Sequence, residues 1–109
     1  MRLPNGKNCY IDARKINDYC LNIYHPRGKH KAILFEKLLG ISKENSNELI
    51  YWLKQAVLEN DAFEQNSDKF GKWYYIDIKK FDNQNVIIRS VWIIKVNENF
   101  PRFVTCYII

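Results

Sequence analysis

The segment His25-Pro26-Arg27-Gly28-Lys29-His30-Lys31-Ala32 gathers the densest set of proton-carrying and cationic groups in the chain. The imidazoles of His25 and His30 alternate with Arg27, Lys29 and Lys31, and Pro26 and Gly28 interrupt the run before a helix begins. Proline disfavours helix at the residue before it, so His25 is held on extended backbone. Lys31 falls in the first turn of the following helix, where the positive end of the dipole opposes a cation. That cost is tolerated more easily when an anion binds, and free N–H groups at a helix start beside Lys31 would cradle a phosphate. The same residues also read as a solvated basic loop in which His25 and His30 merely titrate.

Arg89 is the second unusual cation, set inside the apolar run from Val86 to Ile94. A charge in a central strand is costly unless it has a partner. Arg89 therefore either faces solvent on the open side of a sheet or offers its guanidinium fork to a substrate phosphate. Arg102, next to Pro101 at the start of a strand, reads as a rim contact. Zinc needs three or four convergent ligands at recognisable spacing; His25 and His30 flank a helix start with only Glu36 nearby, so neither a metal nor a cofactor is expected. The chain has no Walker loop, no Gly-x-Ser-x-Gly elbow and no dinucleotide fingerprint. Cys9, Cys20 and Cys106 are scattered, which reads as reduced, mostly buried cysteine.

These groups must be positioned by elements that the periodicity predicts. Asp12 can cap a helix running to Asn22, with Ile16, Tyr19 and Cys20 on one face. A second helix spans His30 to Leu39 and stops at Gly40. A third begins between Ser42 and Ser46 and ends near Asn60, with Leu49, Leu53, Ala56 and Val57 as its apolar stripe. Asp61 to Phe70 is polar and reads as irregular. The period then changes to 2: Tyr74, Ile76 and Ile78 alternate with Trp73, Tyr75 and Asp77, and Asp82-Asn83 supplies turn chemistry for a hairpin. Val86 to Val96, apolar on both faces, is predicted to be central. Arg102 to Ile109 is the last strand, where strict alternation puts Val104, Cys106 and Ile108 inward and Phe103, Thr105 and Tyr107 outward. That second set is either an aromatic platform for bases or a second small core.

The predicted fold is α+β: one domain over residues 1–109, with about three N-terminal helices on one face of a three- to four-stranded C-terminal antiparallel sheet. The chain of 109 residues is 47% hydrophobic and 15% aromatic, too apolar for disorder. Its apolar runs are far shorter than the ~20 residues that span a bilayer, and Met1 to Gly6 shows no signal-peptide core. The chain is expected to be cytoplasmic and not to engage a membrane, unless it travels as the tail of a larger exported protein. A net charge of +5 favours polyanionic partners, nucleic acid first.

With Arg89-Ser90-Val91-Trp92-Ile93 and Pro101-Arg102-Phe103-Val104-Thr105-Cys106-Tyr107, the motif His-Pro-x-Gly-x-x-Lys-Ala at residues 25–32 resembles a family of small bacterial domains of unknown function. Members occur beside antitoxin genes and at the C-terminal tips of polymorphic toxins. The order of elements also resembles the barnase–EndoU–colicin–RelE group of ribonuclease toxins, an analogy of fold. The resemblance implies a metal-independent endoribonuclease toxin acting through the ribose 2′-hydroxyl, with RNA as substrate and a cognate antitoxin or immunity protein as partner. It points to His25, Gly28, Lys31, Trp92 and Thr105; together with the cations and rings read above, His25, Lys31, Arg89, Thr105 and Tyr107 are the catalytic candidates, and Arg27, Lys29, His30, Trp92 and Arg102 the RNA-binding ones. His25 would be base or acid, Lys31 and Arg89 charge stabilisers, Thr105 a hydroxyl ligand and Tyr107 a second proton carrier. The alternative is a non-catalytic basic module that binds RNA or a protein through the same face.

Overall fold

A computed structural model describes residues 1–79 and 85–109. Asp12 accepts a hydrogen bond from the Arg14 amide at 3.0 Å and starts α1 (Ala13–Lys15), which loosens into a π turn over Ile16–Cys20. Helix α2 (Lys29–Leu39) ends at Gly40, whose φ of 67° lies in the left-handed region that glycine adopts without strain. A short 3-10 turn, Lys43–Asn45, leads into α3 (Ser46–Glu59), and the expected stripe of Leu49, Leu53, Ala56 and Val57 is buried.

The sheet contains β1 (Phe63–Asp68), β2 (Gly71–Lys79), β3 (Ile87–Lys95) and β4 (Arg102–Ile108), all antiparallel in the order β1-β2-β3-β4. Four strands and three helices in this order make the α+β fold. Strand β1 corrects the reading of Asp61 to Phe70 as irregular. Every residue of β1 is exposed, so no apolar alternation marks it; pairing with β2 makes it a strand. The turn between them is tied by the Asp68 carboxylate, which accepts from the Phe70 and Gly71 amides and from the Trp73 indole N–H. That last bond is the main reason the Asp68 carboxyl is held below its ordinary value. The turn expected at Asp82-Asn83 lies outside the described residues.

The helical stripes pack on one face of the sheet, and α2 with the π turn also reaches the β4 edge. Tyr74, Ile76 and Ile78 of β2 pair across with Trp92, Ser90 and Ile88 of β3, and all six are buried with the helical apolar stripes. As expected, β3 lies between two other strands.

On β4 the strict alternation fails. Val91 faces Thr105 but Trp92 faces Phe103, so Val104 is an extra residue in a β-bulge. The bulge returns Phe103 to the core beside Cys106, while Thr105 and Tyr107 face outward. Trp92, expected to touch RNA, is fully buried. Its ring meets Phe103 edge to face with centroids 5.5 Å apart, and its indole donates to Ser90 Oγ at 2.9 Å. It is a core residue, not an RNA contact.

Among the described residues no helix is long and apolar enough to cross a membrane. Ser90, the buried polar residue of the core, donates in turn to the Ile76 carbonyl at 2.9 Å. Removing its hydroxyl orphans a buried indole N–H, which typically costs about 1–3 kcal/mol. Ser90→Ala should therefore lose about that much stability in urea denaturation. A loss within the ~0.5 kcal/mol of an ordinary surface substitution would contradict this arrangement of the core.

Candidate functional site

The motif at residues 25–32 is built around one ring, that of Tyr19 in the π turn. The His25 ring meets Tyr19 edge-on, centroids 4.7 Å apart with planes at 86°. A Cβ on Gly28 would lie 2.8 Å from the Tyr19 carbonyl oxygen and 3.3 Å from its ring, so only glycine admits this approach. Ala32 is buried, and the Lys31 ammonium stands 6.0 Å from the centre of the same ring. His25, Gly28 and Lys31, three residues apart, thus all meet Tyr19.

His25 is committed at one nitrogen. Its Nδ1 accepts from the amides of Arg27 at 3.1 Å and Gly28 at 3.0 Å, the residues that lead into α2. A ring accepting at Nδ1 carries its proton on Nε2. That nitrogen can donate a hydrogen bond. Acting as a base or passing a full proton would require Nδ1 to release both amides, so the geometry favours a donor role over the expected base or acid role.

From Tyr19 the cluster extends onto the outer face of the sheet. Lys31 Nζ lies 4.6 Å over the Tyr107 ring. Tyr107 pairs across the ladder with Arg89, and Arg89 with Asp77, so the three form one outer row; Tyr75, Val91 and Thr105 form the next. Arg89 binds Asp77 through Nε–Oδ1 and Nη2–Oδ2, both 2.9 Å, and its guanidinium lies 4.3 Å over the Tyr75 ring. The Asp77 carboxylate raises the Arg89 pKa, keeping it charged. The fork is therefore partly used, but its remaining N–H donors stay on the open side, where the side chain is 29% exposed.

Thr105 Oγ1 lies 3.7 Å from Cys20 Sγ. The Cys106 thiol hydrogen-bonds Cys20 and lowers its pKa, while the same contact and complete burial raise that of Cys106. Cys20 and Cys106 are free thiols in the core, and Cys9 is half-buried.

The structure thus brings Lys31, Arg89, Tyr107 and Thr105 together, with His25 joined to them through Tyr19. Arg27, Lys29 and His30 are exposed around the start of α2. Arg102 stands apart at the far end of β4, paired with Glu98 at 2.7 Å and lying over the rings of Tyr10 and Phe100. Among the described residues no three His, Cys, Asp or Glu side chains form a metal-binding group. Sequence reasoning missed Tyr19, Tyr75 and Asp77. Asp77 was within reach of it, because an arginine in a strand interior calls for a carboxylate on its neighbour.

Compared with known proteins, residues 2–109 match a family described as Domain of unknown function (DUF6883). No curated protein matches the sequence. Among solved structures, the fold matches a chain of the "Contact-dependent growth inhibition toxin - immunity protein complex from Klebsiella pneumoniae 342" with a TM-score of 0.68. The two are 17% identical, and the match covers 95% of this chain and 96% of the other.

The two amides held by His25 make a test of its structural share. His25→Ala leaves both without their acceptor and should cost about 1 kcal/mol, like loss of a helix cap. His25→Asn, whose Oδ1 can accept the same bonds, should regain most of that in urea denaturation. Equal stability of the Ala variant and the unsubstituted protein would show that Nδ1 does not hold the loop.

Proposed function

We propose that this chain, which belongs to the DUF6883 family, is the toxic member of a toxin–antitoxin or toxin–immunity pair and cleaves RNA through the ribose 2′-hydroxyl without a metal. The observation that carries this reading is the pairing of Lys31 and Arg89 on either side of Tyr107, with Thr105 in the adjacent row. Two cations about one phenol form a site for a phosphate and a proton carrier together. The fold shared with a chain from a toxin–immunity complex supports the setting in either role. The net charge of +5 favours the toxin, because a partner shielding an RNA-binding surface is expected to carry the complementary sign.

The chemistry is an internal displacement. O2′ loses its proton to a base and forms a bond to phosphorus; the P–O5′ bond breaks, and O5′ takes up a proton. The products are a 2′,3′-cyclic phosphate and a 5′-hydroxyl. Lys31 and the free N–H groups of Arg89 offset the charge that grows on the phosphorane oxygens. Tyr107 gives its proton to O5′ and is restored from solvent, which takes the O2′ proton; Thr105 is a hydroxyl ligand to phosphate or ribose, and His25 donates a hydrogen bond from Nε2. Arg27, Lys29 and His30 add long-range attraction for the RNA backbone. The nucleophile comes from the substrate, so no metal is needed to make one from water.

Induced expression in a bacterial host should stop growth with fragmentation of cellular RNA. Tyr107→Phe should lower the purified protein's cleavage rate about 10²–10⁴-fold, and Lys31→Gln about 10²–10³-fold, both with unchanged circular dichroism. Cleavage should persist in a chelator. Growth and RNA left intact by soluble, folded protein would reduce the domain to a passive binder. Activity lost in chelator and restored by a divalent ion would overturn the metal-free mechanism.

A further inference from the structure

A line of rings and cations crosses the open face of the sheet, from its edge strand to α2. Phe63 of β1 stacks on Tyr75 of β2, with centroids 5.3 Å apart and planes at 27°. Arg89 of β3 lies 4.3 Å over the other end of this pair, at Tyr75. Arg89 faces Tyr107 of β4, and Lys31 closes the line 4.6 Å over Tyr107. With strands about 4.8 Å apart, the crossing from β1 to β4 is roughly 15 Å, room for a short run of nucleotides.

Folding does not explain the outer end of this line. Phe63 is 50% exposed on a strand with no buried residue, so its ring contributes little to the core. Phe63 borders a groove of about 560 Å³ lined by both signs of charge, in which Asp61 is paired with Arg2 and Asp77 with Arg89, and Glu59 and Lys79 also take part. Beyond Arg89 the line ends in Lys31 over Tyr107, where a phosphate would meet two cations.

We propose that the site takes single-stranded RNA, with the base of a flanking nucleotide stacked on the Phe63–Tyr75 pair and the scissile phosphate at Arg89 and Lys31. This rests on the RNA-cleaving reading and adds the substrate form to it. Stacking on protein rings requires an unstacked base, and a duplex keeps its base faces hidden. Phe63 and Tyr75 are binding residues for the flanking base and take no part in the chemistry.

The test measures binding of a fluorescein-labelled oligouridylate with 2′-fluoro sugars, which the proposed reaction cannot cleave, against a fully paired duplex of the same length. The single strand should bind at least about 10-fold more tightly. Phe63→Ala and Tyr75→Leu should each weaken it about 5- to 100-fold, the range for loss of one base–aromatic stack, and leave duplex binding unchanged. Phe63→Tyr, which keeps a ring, should bind normally and guards against a folding artefact. Neither ring variant should alter the slope of log affinity against log salt, whereas Lys31→Gln should reduce it by about one phosphate contact. Ring variants that bind the single strand like the unsubstituted protein, or a duplex bound as tightly as the single strand, would overturn the proposal while leaving RNA cleavage standing. Ring-dependent binding without any cleavage of an all-ribose strand would do the reverse. Absence of RNA binding would overturn both.

Discussion

A single inserted residue, Val104, lets the last strand complete the core while keeping its outer row intact. Without the bulge, residues 103 and 106 would lie on opposite faces of β4, because side chains alternate strictly along a strand. With it, Phe103 packs on Trp92 and Cys106 lies opposite Ser90, both under the helices. Thr105 and Tyr107 keep the outer face that alternation gives them, in register with Val91 and Arg89. One local irregularity thus adds Phe103 to the core without disturbing the candidate site. Bulges recur beside functional sites because they re-aim side chains in this way.

The outer face is also an electrostatic arrangement. Arg89 sits in an inner strand, where an unpaired charge is costly, and Asp77 directly opposite relieves that cost through two hydrogen bonds. The pair fixes the direction of the fork while leaving part of it open. Among the described residues Lys31 has no carboxylate partner; its ammonium rests on the Tyr107 ring, a weaker attraction that an anion can supplement. One cation is therefore held rigidly and the other softly, with a phenol between them.

Much of the helical half was legible in the sequence, because local chemistry marks it: Asp12 as a cap, Gly40 past the end of α2, and a 3.6-residue stripe on α3. The end of the first helix, expected at Asn22, was not, since the chain widens into a π turn that closes at Cys20. Strand β2 was legible too, its buried and outer residues alternating as read. Two further features were not. Strand β1 carries no apolar pattern, so only its partner strand shows that it exists. The bulge depends on pairing between β3 and β4, and no single-strand pattern contains it, hence the outward expectation for Phe103; Trp92 was linked to RNA by the family resemblance alone, which carries no information on its burial. In the site, the motif at residues 25–32 was visible as a cluster, but its meaning was not. Its glycine and histidine serve contacts with Tyr19 and the loop amides, partners that become neighbours only after folding.

In the proposed reaction the substrate's own hydroxyl is the nucleophile, and the ends of the products report directly on that. Mass spectrometry of a short oligoribonucleotide incubated with the purified protein in chelator should find 2′,3′-cyclic phosphate on one fragment and a 5′-hydroxyl on the other. A single 2′-deoxy sugar on the 5′ side of the scissile phosphate should abolish the cut. Cleavage of that deoxy-substituted strand at the same position, or fragments bearing a 5′-phosphate, would contradict the account.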